Sequence, residues 1–134
     1  MEKLMSIHVN LGEPRTVGQT SEGLLTIIPI TGGSFEGPQI SGRVCMGGAD
    51  WSTVANGIVH VCARYWLEAE NGETIAIFNE GWFPAEDHKG TIKTHPRFMV
   101  DAGGNHTCLN TGVFLGELRG GVPGSVDIDI WEIK

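Results

Sequence analysis

Basic residues are scarce in this chain and nowhere clustered: nine lysines and arginines stand against sixteen acids, for a net charge of −7. No basic stripe exists to displace counterions from phosphates, which argues against nucleic acid as a partner. An anionic membrane surface is disfavoured on the same ground. Long apolar runs are missing too. The longest, Leu24 to Ile30, is far too short to span a bilayer as a helix and contains Pro29. The opening MEKLMSIHVNLGE meets Asn10 and Glu13 before any apolar core develops, so no signal peptide is expected. Cys45, Cys62 and Cys108 make an odd count without a C-x-x-C, which points to reduced thiols, small buried hydrophobes in a cytoplasmic protein. There is no G-x-S-x-G, phosphate loop or dinucleotide fingerprint, since the glycine pairs lie between strands and open no helix. No cofactor is expected.

A helical period is the last absence, and alternation replaces it. Ile7, Val9 and Leu11 alternate with polar neighbours, as do Ile40, Gly42, Val44 and Met46, and again Val126, Ile128 and Ile130. Period two with one apolar face means strands half buried on a single core. Further runs span Leu24 to Thr31, Ile58 to Glu68, Thr74 to Asn79, Arg97 to Val100 and His106 to Glu117. The 20 glycines punctuate these runs without a strict period. Asn71-Gly72 is expected to close a hairpin through a two-residue turn, and Asn56-Gly57 to turn the chain before the longest strand. Gly81 to Gly90 reads as the one long polar loop. The 134 residues suit one domain without subdivision. The fold expected is all-β: a single antiparallel barrel of roughly eight strands with little helix, which removes the edges such apolar strands would expose.

One ordered set of blocks carries a resemblance. P-I-x-G-G-x-F-x-G-P-x-I-x-G-x-V is followed by G-G-A-D-W, A-R-Y, N-G, P-R-F, L-N and a closing I-D-I-W-E. From about Leu24 to the C-terminus this resembles the small barrel proteins catalogued as domain of unknown function 3237. The resemblance implies an antiparallel barrel and brings no established activity. This chain departs from the family pattern at Cys62, where members often carry an acid, and at Phe78-Asn79-Glu80-Gly81, where they often carry R-N-R-G. The loop before His95-Pro96-Arg97-Phe98 is also shorter than usual. A cavity lined by those positions would be less charged and more open than in other members.

The first candidate site is Asp50 at the Gly47-Gly48 corner, paired with Arg64 on the following strand. Ionised beside Arg64, Asp50 would be a poor general base and would serve to orient a polar ligand, or to pin the corner as a salt bridge. Trp51 and Tyr65 would mainly pack, or stack on a ring-shaped ligand. Val59, Val61, Ala63, Tyr65 and Leu67 share one face of the long strand, and Ile58, His60, Cys62, Arg64 and Trp66 the other. A packed core calls for the first face inward, a ligand cavity for the second. The preference here is for the second, because Asn79 accompanies Ile75 and Ile77, and Asn110 accompanies Cys108 and Phe114.

His60-Val61-Cys62 and His106-Thr107-Cys108 are two H-x-C pairs, and on adjacent strands they would form a His₂Cys₂ set that zinc accepts. The spacing is not a standard one, and the expectation is no metal. His8, His88 and His95 read as surface residues, and Glu86, Asp87, Asp127 and Asp129 as solvated charges. The expected function is binding of a small organic molecule in the barrel mouth, with room for isomerase, cyclase or hydrolase chemistry. Asp50, Arg64, Asn79 and Asn110 would orient the ligand, and Trp51 and Phe98 would wall it. The alternative is a non-catalytic interaction or assembly module with a filled core. A homodimer is expected from the apolar Trp131 and Ile133 on the outer face.

Overall fold

The computed structural model describes residues 1–86, 90–120 and 122–134. Its strands are β1 (Glu2–Leu11), β2 (Arg15–Thr20), β3 (Gly23–Glu36), β4 (Ser41–Val44), β5 (Ala49–Ala55), β6 (Ile58–Ala69), β7 (Thr74–Pro84), β8 (Ile92–Met99), β9 (Val113–Gly120) and β10 (Ser125–Ile133). A single 3₁₀ turn, Thr107–Asn110, is the one helical element among the described residues. Among the described residues, no helix is long and apolar enough to cross a membrane.

Every strand pairing is antiparallel, and the sheet closes because β1 bonds to β10 on one side and β3 on the other. Eight staves form the barrel. β4 and β5 share one of them, lying end to end between β3 and β6, while β2 extends the β1 side along the first half of β3. The 14-residue β3 changes partner midway, at Gly32 and Gly33, whose φ values are 154° and 139°. A Cβ on Gly33 would collide with the His8 carbonyl of β1, so this crossing requires glycine.

Several local expectations need correction. Ala49–Ala55 is a strand, so Asp50 lies in β5 and not on the glycine corner. Asn56-Gly57 turns the chain before β6 as expected, and this hairpin has the two-residue turn, both residues at positive φ (53° and 77°) between the paired Ala55 and Ile58. The Asn71-Gly72 hairpin needs a longer connection, since Ala69 N–H bonds to the Glu73 carbonyl. His106 to Asn110 is loop and 3₁₀ turn where a strand was expected. The supposed loop from Gly81 contains the end of β7, because Gly81 to Pro84 pair with Ile58 to Val61.

Alternation around the closed sheet decides what fills the barrel. At one end Met5, Ile7, Leu67, Ile75, Ile77 and Ile130 are at most 1% exposed and form a solid core, extended by Phe98 set edge-on to Phe114 at 5.1 Å between ring centroids. Moving along the same strands toward the other end, the inward positions become Val9, Val61, Ala63, Asn79 and Val126, and they no longer meet. A cavity of about 200 Å³ remains between them.

Candidate ligand-binding site

The Val61, Ala63 and Tyr65 face of β6 points inward, so the expectation that the mixed face lines the lumen is corrected. Asp50 is directly opposite Ala63, and Ala63 is directly opposite Asn79. This register places Asp50, Ala63 and Asn79 in one row across three strands. Since residues directly opposite share a face, Asp50 and Asn79 enter the cavity together with Tyr65. Thr94 of β8 completes the polar set, lying over Gly116 so closely that a Cβ there would overlap its hydroxyl.

This polar set is set into apolar walls. Ile30, Val61, Phe83, Ile92, Leu118 and Ile128 are among the lining residues. Asn79 and Thr94 are 4% and 1% exposed, yet Tyr65 Oη, Asn79 Oδ1 and Thr94 Oγ1 have no hydrogen-bond partner among the described residues. Buried polar atoms are nearly always paired, and each unpaired one costs about 1–3 kcal/mol. The three orphaned atoms belong to residues that line one apolar chamber, and ligand sites combine apolar walls with a few such polar groups.

Asp50 differs from its three neighbours in carrying a carboxyl group. Its Oδ1 accepts the Cys62 backbone N–H at 3.0 Å. Burial pushes its carboxyl above the ordinary carboxylate range, against the opposing pull of the Cys62 N–H and His60. Burial, and then the charge of Asp50, push the Tyr65 phenol well above its usual range, so Tyr65 is a hydrogen-bond donor throughout physiological pH. The arrangement thus offers a carboxyl tuned toward proton exchange beside hydroxyl and amide groups able to bind a carbonyl or hydroxyl.

The other sequence candidates fall elsewhere. Arg64 pairs in register with Ala49, not Asp50. It is exposed on the outer wall, its guanidinium 4.8 Å from the Phe78 ring centroid, which Arg97 also approaches at 4.9 Å. The Asp50–Arg64 pair therefore does not form, because one-residue parity sends the two side chains to opposite faces. Trp51 is outward and 49% exposed. Phe98 belongs to the solid core. Asn110 is an exposed clip whose side chain accepts the Val100 N–H at 2.9 Å and donates to the Val100 carbonyl at 3.0 Å.

His106 and Cys108 do not join His60 and Cys62. His106 lies near Ala69 and Asn71, at the far end of β6 from His60, a separation of about 30 Å along the strand. The family departures at Cys62, Phe78 and Glu80 likewise alter the outer wall, whereas Asn79 and Gly81 face inward. Asp127 and Asp129 do lie outside, but Asp129 is tied to Ser6, Arg119 and Lys3. His8 bonds Asp127 at 2.8 Å, and His95 and Glu86 are exposed. Asp87 and His88 lie outside the described residues. In the sequence, only the parity of Tyr65 with Val61 and Ala63 marks it for the site, and nothing marks Thr94.

A model of the family described as "Protein of unknown function (DUF3237)" matches residues 1–133. A UPF0311 protein from Rhodopseudomonas palustris is 32% identical over 79 residues, which are 58% of this chain and 52% of that protein. The chain thus spans about half the length of the curated relatives it matches. A solved beta-barrel like protein from Acinetobacter baumannii superposes with a TM-score of 0.87 at 30% identity, over 99% of this chain and 94% of that one. An enzyme from Penicillium herquei superposes with a TM-score of 0.75 at 21% identity, covering 97% and 92% of the two chains, a likeness of fold alone.

Proposed function

This chain belongs to the DUF3237 family, and we propose that it binds a small, mainly apolar molecule inside the barrel and that Asp50 exchanges a proton with that molecule's polar end. The single observation that carries this reading is the convergence of Asp50 with the orphaned Tyr65, Asn79 and Thr94 in one apolar cavity. A cavity of about 150 Å³ takes benzene, so about 200 Å³ suits a single ring or short chain of roughly eight non-hydrogen atoms bearing one oxygen. Tyr65 and Thr94 would hold that oxygen as donors. Asp50, carrying a proton more readily than an exposed carboxylate, would deliver or remove one, as isomerisation, ring closure and hydrolysis each require.

The filled-barrel reading has less support, because the packing that it needs at Val61 and Ala63 is present only at the opposite end of the lumen. Native mass spectrometry of protein purified from cells tests the proposal, run beside a Val61→Phe variant in which the added ring occupies the cavity. Wild type is expected to carry a small-molecule mass that the variant lacks. Retention of the same mass by a folded Val61→Phe protein would remove the lumen as the site.

A further inference from the structure

On the outer wall, away from the cavity, three potential metal ligands meet. His60 and Cys62 alternate along β6 and therefore project from one face. Glu80 is directly opposite Cys62 on β7. The ligating atoms of His60, Cys62 and Glu80 all lie within 4.8 Å of one another. His60 Nε2 and the Glu80 carboxylate are already 2.9 Å apart. The His60 ring lies flat on Trp82, with 4.5 Å between centroids and 5° between planes, so one face of the imidazole is held before any ion arrives. All three ligands are half-buried, which sets them apart from freely solvated side chains.

We propose that His60, Cys62 and Glu80 form a binding site for a divalent transition metal of the zinc class on the outer wall of β6 and β7. Nitrogen, thiolate and carboxylate donors form the mixed set such ions accept, at about 2.0–2.3 Å each. Donor atoms around a tetrahedral ion are separated by roughly 3.3–3.8 Å at those bond lengths, so the observed trio closes by small side-chain rotations. The thiolate selects against magnesium and calcium, which prefer oxygen alone. Three protein ligands leave a fourth position, available to water or to His95, which is directly opposite Glu80 on β8. The Arg64 and Arg97 guanidiniums share this wall and oppose a cation, but each is engaged on the Phe78 ring. Binding would replace the Cys62 thiol proton and the His60–Glu80 hydrogen bond, so affinity must rise with pH.

Cobalt(II) titration of the reduced full chain tests this site without reference to any reaction. Wild type is expected to show one equivalent of cobalt with a thiolate-to-cobalt charge-transfer band and the strong visible bands of a four-coordinate ion, both removed by zinc. Cys62→Ser should abolish the charge-transfer band and weaken binding at least about tenfold, and Glu80→Gln should weaken it while leaving the band. Cys108→Ser, at an exposed thiol elsewhere, should change neither. Because all three substitutions lie at solvent-accessible positions, the barrel should survive them, and circular dichroism checks that it does. Absence of the band in wild type, its persistence in Cys62→Ser, or its loss in Cys108→Ser would overturn the proposal.

Discussion

Two substitutions at Asp50 separate its charge from its hydrogen bond. Asp50→Asn keeps an oxygen to accept the Cys62 N–H, which now bonds Oδ1 at 3.0 Å, and removes the ionisable group. Asp50→Ala removes both and leaves that N–H without its partner, at a cost of about 1–3 kcal/mol. For a domain of 134 residues this corresponds to a melting temperature lower by roughly 4–11 °C. The sign of the pH effect follows from burial, which raises the folded-state pKa. The folded protein then holds the proton more tightly than the unfolded chain. Its stabilising contribution is full below the unfolded carboxylate value and is lost as pH rises through the folded one. Relative to Asp50→Asn, wild type should therefore lose stability between acidic and neutral pH, and the gap should level off once Asp50 is ionised. Thermal melts of the three proteins from pH 4 to pH 8 measure this. Equal destabilisation by Asn and Ala at neutral pH would refute the contribution of the Cys62 N–H bond, and an Asn–wild-type gap that is flat across the range would refute the burial of the charge.

Asp129 should behave in the opposite sense. Burial works to raise its pKa, but the hydrogen bonds from Arg119, Ser6 and Lys3 prevail and hold it at about 2. Stability from this group is present above the unfolded pKa and lost as pH falls toward 2. After allowance for the half-exposed Arg119 and Lys3, Asp129→Asn should cost about 1–2 kcal/mol at pH 7, closing toward zero in acid; an undiminished gap at pH 2 would contradict the assignment. Asn110→Ala, which breaks both bonds to Val100, should cost about 1 kcal/mol in a urea melt and leave any copurified ligand in place. Loss of the ligand mass in that variant would return Asn110 to the site.

Composition, glycine punctuation and period-two patterning are local properties, and from them the all-β class and the barrel were legible. So were the inward row of Ile75, Ile77 and Asn79 and the pairing of Ile128 and Ile130 on one face, since alternation needs only one strand. What alternation cannot supply is which of two faces a strand turns inward, because a shift of one residue exchanges them. On β6 both faces carry apolar residues, and the choice was made by its neighbours: the Asn56-Gly57 turn sets Asp50 opposite Ala63, and the β6–β7 hairpin sets Ala63 opposite Asn79.

Long-range register therefore decided the site. It separated Asp50 from Arg64, although they stand close in sequence, and brought Asp50 to Asn79, Tyr65 and Thr94 from four strands. It likewise parted His60 from His106 and set Cys62 against Glu80, a pair that no spacing rule connects. The taper of packing from the solid end to the open one is decided the same way. Inward residues from several strands make up each layer, and whether a layer fills depends on the sum of their side-chain volumes. The amino-acid sequence by itself determined that these strands would close around an apolar interior. Only the closed sheet determined where that interior stays open and which polar groups look into it.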